Sequence, residues 1–212
     1  MESWNMIGLI DPGERAEIGI FAGSGNYDPR IIKEAKELKV YTPYGATSDN
    51  VIVGYIADRR VAFLVRHQRG HRVPPHKINF RANVWAMKAL GVTRIISPAA
   101  VGSLQPERIK PGEFVVCDQI VSFTAAPRMN QTFFDGGVVG HVAFADPFCA
   151  ELRRVIVDTA VKLGMKIHSK ESSKDHDSYE YVCIEGPRFS TRAESLFYKR
   201  QGWDVVGKMD NN

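Results

Sequence analysis

Val61-Ala62-Phe63-Leu64-Val65 runs without a break into Arg66-His67-Gln68-Arg69-Gly70-His71-Arg72-Val73-Pro74-Pro75-His76. The apolar run reads as a strand, and the eleven residues after it carry six ionisable donors punctuated by Gly and Pro. A strand that ends in such a loop can aim guanidinium and imidazole groups at one oxyanion, and the planar fork of Arg matches phosphate bidentately. A solvated basic loop would have the same local composition, so the neighbouring segments must decide.

Further β-rich runs recur along the chain: Ile18 to Ala22, Val51 to Ile56, Arg94 to Ile96, Glu113 to Cys117, Tyr181 to Ile184 and Asp204 to Val206. Helical patterns lie between them, which predicts an α/β fold with a central mixed sheet. The runs at 51–56 and 61–65, joined through Ala57-Asp58-Arg59-Arg60, predict a hairpin, so the sheet is not purely parallel. One helix is expected from Pro147 to Leu163, with Asp146 as N-cap, Gly164 as stop and an apolar face of Val155, Ile156, Thr159 and Leu163. A second fits Phe80 to Leu90, ending at Gly91, and a third begins near Thr191 and closes before Gly202. Residues 169–180 read as an exposed polar loop in which His176 is solvated.

A chain of 212 residues with 44% hydrophobic content can bury a substantial core, and a single domain spanning 1–212 is expected. Its 28 basic and 24 acidic residues give a net charge of +4, interleaved along the chain, which does not suggest nucleic acid as a partner. No apolar stretch approaches the ~20 residues that span a bilayer, and the first residues lack a signal-peptide pattern, so a cytoplasmic protein without membrane partners is expected. Cys117, Cys149 and Cys183 are far apart within apolar runs and suggest neither disulfides nor a metal.

Three loops follow strands. Gly23-Ser24-Gly25 offers inward-turned backbone N–H groups and a hydroxyl, the Arg66-His67 loop offers cations, and Ser97-Pro98-Ala99-Ala100-Val101-Gly102-Ser103 offers small residues that let a ligand approach backbone. Ligands of open α/β sheets bind beyond the carboxyl ends of strands, so three such loops point to one joint site. A fourth segment, Ile184-Glu185-Gly186-Pro187-Arg188-Phe189-Ser190-Thr191, places an aromatic at a turn before a helix. Phe189 there is either a face on which a purine stacks or a plug under the turn.

These segments occur together with Tyr41-Thr42-Pro43-Tyr44-Gly45, Thr132-Phe133-Phe134-Asp135-Gly136 and His141 with Ala145-Asp146-Pro147. Over about 16–207 the chain closely resembles the trimeric purine nucleoside phosphorylase family, in its methylthioadenosine branch. The resemblance implies a single-domain nucleoside phosphorylase fold and phosphorolysis of methylthioadenosine to adenine and 5-methylthioribose 1-phosphate. Inorganic phosphate would be co-substrate, with no metal or organic cofactor, in a homotrimer or homohexamer. By motif position it makes Ser24, Arg66, His67 and Ala100 phosphate ligands, Phe189 the purine platform and Ser190 its polar neighbour at the base edge. It sends His141 to the 5′ pocket of an adjacent protomer, and Met209 to the ribose if Lys208 is an insertion. Ser190 stands where relatives for 6-oxopurines carry a carboxylate, which favours a 6-aminopurine; inosine- or guanosine-like substrates are the alternative reading.

The match has gaps. Pro98-Ala99 replaces a hydroxyl residue, Gln68 stands where Gly is usual, and the loop 169–180 is longer than expected. Beyond Gly207 the family's purine-binding acid, a further strand and closing helices have no counterpart. No catalytic acid is therefore assigned, and a shortened paralogue that binds phosphate or nucleoside without turnover is the reading from a different class.

Overall fold

The computed structural model describes residues 11–23, 28–124, 132–174 and 176–208. It is a mixed α/β protein whose contacts group these residues into two compact units. Ser24 and Met209 lie outside the described residues.

The first unit comprises residues up to 100 together with 132–135. Its elements are β1 (Ile18–Ala22), β2 (Lys33–Leu38), β3 (Tyr41–Thr42), β4 (Gly45–Ala46), β5 (Val51–Ile56), β6 (Arg59–Val65), α1 (Phe80–Ala89) and β7 (Arg94–Ile96). The main sheet has the order β2-β5-β6-β1-β7. As the sequence predicts, β5 and β6 form an antiparallel hairpin, whereas β1 runs parallel to both β6 and β7. Val61 to Val65 are almost completely buried. Unalternated apolar strands of this kind belong in the middle of a covered sheet, where each large side chain contributes about 1.5–3 kcal/mol by leaving water.

Helix α1 starts where expected because Asn79 caps it: its Oδ1 accepts from the Ala82 N–H at 3.2 Å. Ala82, Ala86, Met87 and Ala89 face the core, and Gly91 ends the helix at φ +85°. Strand β2 escapes the sequence reading because Lys33-Glu34-Ala35-Lys36-Glu37 carries no apolar alternation and is exposed throughout. Its place at the sheet edge explains this, since charged side chains there block pairing with another chain.

The second unit comprises 101–124 and 136–208. It contains β8 (Gly102–Ser103), β9 (Phe114–Val115), β10 (Gln119–Phe123), α2 (Ala150–Lys162), β11 (Ile167–His168), β12 (Glu180–Ile184), α3 (Arg192–Arg200) and β13 (Val205–Lys208). Its sheet has the order β10-β12-β13-β8, with β12 parallel to both β10 and β13 and β8 antiparallel to β13. Strands β9 and β11 form a separate parallel pair. Leu104, Val182, Ile184 and Tyr198 make one core cluster, and Ile109, Tyr179 and Val205 another. Among the described residues no helix is long and apolar enough to cross a membrane.

Three expectations are corrected here. Helix α2 begins at Ala150 after Cys149, not at Pro147; Cys149 takes an extended conformation and makes no side-chain cap, and Asp146 lies outside the helix. Its buried stripe is Arg153, Val157 and Ala160, while Val155 and Leu163 are 55% and 69% exposed. The apolar residues of α2 therefore do not mark its covered face. The loop 169–180 is not a solvated excursion either: Ser169 and Tyr179 are buried and His176 is hydrogen-bonded. Its buried partners are the aspartates Asp118 and Asp204, which an apolar pattern cannot reveal. The Tyr179 N–H donates to Asp118 Oδ1 at 2.7 Å, Lys170 pairs with Asp118 at 3.1 Å, and the Glu180 N–H donates to Asp204 Oδ2 at 2.8 Å.

The segment before β5 is joined to α1 by one buried amide. Asn83, fully buried, accepts from the Ser48 N–H at 2.9 Å and donates to Ser48 Oγ at 3.0 Å. Asn83→Ala leaves a buried N–H unsatisfied, and chemical denaturation should show the first unit destabilised by about 1–3 kcal/mol.

Candidate functional site

Because β6, β1 and β7 are adjacent and parallel, the segments that follow them leave the sheet at the same end. These are the loops beginning at Arg66, Gly23 and Ser97, the three that the sequence singles out. Arg66 connects them. It is 3% exposed; its N–H donates to Ala22 O at 3.1 Å, and its Nη1 donates to Phe21 O at 3.2 Å and to Pro98 O at 3.1 Å. A Cβ on Gly23 would stand 3.0 Å from Arg66 Nη2, so the absence of a side chain there lets the guanidinium lie against the β1 exit. Pro98, which lacks the family's hydroxyl, nonetheless contributes its carbonyl.

His67 is also buried. Its Nδ1 is 2.9 Å from Val73 O, and its ring stacks on His71 at 4.7 Å between centroids. If Nδ1 carries the proton donated to that carbonyl, Nε2 is the acceptor nitrogen of the neutral ring. The solvated-loop reading therefore fails for Arg66 and His67 and holds for Gly70, His71 and Arg72, which are exposed. Ala100 is exposed midway along the third loop.

The turn itself is conformationally demanding. Gln68, Gly70 and His71 have φ of 61°, 80° and 55°, a left-handed conformation that costs a non-glycine residue about 1–2 kcal/mol. Arg69, between them, is gripped by two carboxylates. Its backbone N–H and Nε donate to Asp49 Oδ2 at 2.9 and 3.1 Å, and Nη2 donates to Glu37 Oε2 at 3.0 Å and Asp49 Oδ1 at 3.1 Å. Nη1 donates to Glu37 Oε1 at 2.5 Å. The Arg69 guanidinium holds Glu37 below the usual carboxylate range; burial acts to raise Asp49, but its hydrogen bonds from Arg69 and Asn50 together overcome this and hold it low. The sequence reading missed this grip because Glu37 and Asp49 lie 32 and 20 residues away from Arg69, on the edge strand and the loop before β5.

In the second unit the turn after β12 carries Phe189, 79% exposed, with Lys208 Nζ 4.1 Å from its ring centroid. The exposed-face reading of Phe189 therefore holds against the plug. Ser190 Oγ is 2.8 Å from Ser195 Oγ. A cavity of about 400 Å³ opens beside this turn, bounded by Phe123, Ile184, Glu185, Arg188, Glu194 and Tyr198. Glu194 organises the turn: it pairs with Arg188 through two contacts of 2.8 Å, and it completes a capping box with Thr191, whose N–H donates to it at 2.6 Å. His141 lies exposed on the long segment before α2.

The first unit thus carries buried cations at the carboxyl ends of parallel strands, and the second an exposed aromatic turn beside a cavity. The chain belongs to the Phosphorylase superfamily, whose pattern matches residues 17–210. It is 52% identical over 202 residues to S-methyl-5′-thioadenosine phosphorylase of Saccharolobus solfataricus, covering 95% of this chain and 69% of that protein. It is 53% identical over 197 residues to the enzyme of the same name from Hyperthermus butylicus, covering 92% and 68%. Among solved structures it resembles a methylthioadenosine phosphorylase from an Antarctic soil metagenomic library, with TM-score 0.83 and 39% identity, over 92% of this chain and 66% of that one. The Schistosoma mansoni methylthioadenosine phosphorylase in complex with adenine matches with TM-score 0.82 and 36% identity, over 92% and 74%. The chain thus spans about two thirds of the length of these relatives.

Glu194 gives the turn an acid limit. The Arg188 guanidinium and the Thr191 N–H pull its carboxyl from 4.5 down to about 2. A folded value below the ordinary one means that the contact is fully present above about 4.5 and is lost as pH falls through about 2. Hydrogen-exchange protection of the first-turn amides of α3 should therefore decline across that window, and in Glu194→Ala it should be low already at pH 5.

Proposed function

We propose that this protein catalyses the phosphorolysis of S-methyl-5′-thioadenosine, with inorganic phosphate as co-substrate and no other cofactor. The observation that carries this reading is an identity of about one residue in two, over more than nine tenths of the chain, with enzymes named for that substrate. The buried Arg66 and His67 at the carboxyl end of β6 support it, because a phosphate site needs fixed donors withdrawn from water.

In this reaction phosphate oxygen bonds to C1′ of the ribose as the C1′–N9 bond breaks, and the departing adenine takes up a proton. The ribose becomes cation-like on the way, so a held phosphate dianion both stabilises that charge and captures it. Arg66 and His67 act as the phosphate ligands, with the hydroxyl of Ser24 and the backbone at Ala100. Phe189 carries the purine on its exposed face and Ser190, a neutral residue, meets the edge of a 6-aminopurine. His141 serves the 5′ end of the nucleoside in an adjacent protomer of a homo-oligomer, Met209 the ribose, and the enzyme works in the cytoplasm.

The test is release of adenine from methylthioadenosine by the 212-residue chain, with and without phosphate, beside inosine. Phosphate-dependent release of adenine, with inosine turned over poorly, is the expected result. Binding of methylthioadenosine without release would assign a binding protein in place of an enzyme, and preference for inosine would assign a 6-oxopurine phosphorylase. Arg66→Ala should raise the KM for phosphate about 10- to 100-fold, the scale of a lost charge-assisted hydrogen bond, and Phe189→Ala should raise the KM for the nucleoside instead.

A further inference from the structure

The turn that follows Arg66 and His67 holds an unfavourable backbone path, with Gln68, Gly70 and His71 all in the left-handed region. Such a path persists only where the surroundings over-determine it. Within the turn, Gln68 N–H donates to Val65 O and His71 N–H to Gln68 O, both at 3.0 Å, and Val73 N–H closes back on His67 O at 3.0 Å. From outside it, Arg69 is tied to Asp49 and Glu37 through its backbone N–H and all three guanidinium nitrogens, five hydrogen bonds in all. Asp49 is itself well buried, its side chain 9% exposed, and it also accepts from Asn50 N–H at 2.8 Å; Asn50 in turn donates to Glu37 at 3.2 Å. The grip therefore runs from β2 and the segment before β5 to the residue three positions beyond Arg66.

We propose that Arg69, clamped by Asp49 and Glu37, is a positioning residue for phosphate: it fixes the turn from which Arg66 and His67 present their donors and does not itself touch the anion. This rests on the reading of Arg66 and His67 as phosphate ligands. The fork geometry matters, since a guanidinium can engage both carboxylates in plane and an ammonium cannot.

A positioning role and a direct electrostatic role predict opposite signs for one substitution. Asp49→Asn removes a negative charge near a phosphate site. If Arg69 met the anion directly, losing its competing carboxylate would tighten phosphate binding; if Arg69 positions, the turn loosens and binding weakens. Calorimetric titration of inorganic phosphate into the full chain, with steady-state kinetics on methylthioadenosine, separates the two.

The expected result is that Arg69→Ala and Asp49→Asn each weaken phosphate binding about 10-fold or more, as displaced ligands do. The KM for the nucleoside should stay within about twofold, because the loss is confined to one substrate. The double variant should lose no more than the worse single one, since both break the same clamp. Arg69→Lys should recover less than half of the lost affinity on a logarithmic scale. Tighter phosphate binding in Asp49→Asn, unchanged affinity in both variants, or equal losses for phosphate and nucleoside would overturn the proposal. If Arg69→Ala does not fold, the isosteric Asp49→Asn and Glu37→Gln carry the same test. Failure of the wild-type chain to bind phosphate would overturn the functional reading beneath it, whereas binding that ignores these substitutions overturns the clamp alone.

Discussion

A guanidinium cannot be taken out of water cheaply: even after relaxation, desolvating such an ion costs several kcal/mol unless hydrogen bonds replace its hydration. Arg66, 3% exposed, meets that demand by donating to carbonyls of the two chain segments that lie on one side of its own strand. The acceptors are Phe21 O within β1 and Pro98 O just beyond β7, so satisfying one buried charge brings the exits of neighbouring strands into register. The parallel order β6-β1-β7 makes this possible, because only strands leaving the sheet at the same end can offer their terminal carbonyls to one side chain. The charge of Arg66 is thus held beyond the carboxyl ends of parallel strands, the place where ligands of such sheets bind.

The second unit uses the opposite sign of charge to the same end. Asp118 and Asp204 are buried carboxylates that collect donors from the polar segment between α2 and β12. His176 Nε2 lies 3.2 Å from Asp204 Oδ1, and Arg108 also pairs with Asp204. Glu180 nearby is raised above the usual carboxylate range, by burial first and by the neighbouring Asp204 as well. A buried carboxylate left without donors would be strongly unfavourable, so these contacts fix the path of a segment that has little apolar surface. A polar loop can therefore be as firmly placed as a hydrophobic one.

Features governed by apolar pattern or by capping chemistry were legible in the sequence. The hairpin of Val51–Ile56 with Arg59–Val65, the helix after Asn79 and the helix after Thr191 follow from such local signals, whereas the exposure of Phe189 was one of two readings that its turn left open. What could not be read depends on partners distant in sequence. Lys33–Leu38 is a strand only because β5 lies beside it. Helix α2 buries Arg153 and leaves Leu163 in solvent, since its orientation is set by its neighbours and not by its own hydrophobicity. At the candidate site the sequence named Arg66 and His67 from residue type, but their burial, and the grip of Glu37 and Asp49 on Arg69, exist only once the sheet has formed.

The two units differ in when their parts become available during synthesis. All the strands of the five-stranded sheet lie between Ile18 and Ile96, so that sheet has its full complement of strands early in vectorial synthesis. Asp204 comes 96 residues after Arg108, and later than His176 and Glu180 as well. Until it emerges, three of its donors lack their common acceptor, although Asp118 already holds Lys170 and the Tyr179 N–H. Long-range pairings of this kind form slowly because chain closure precedes their reward. The four-stranded sheet therefore has its full complement of strands only once Val205–Lys208 has emerged, well after the residues that frame the cationic loop.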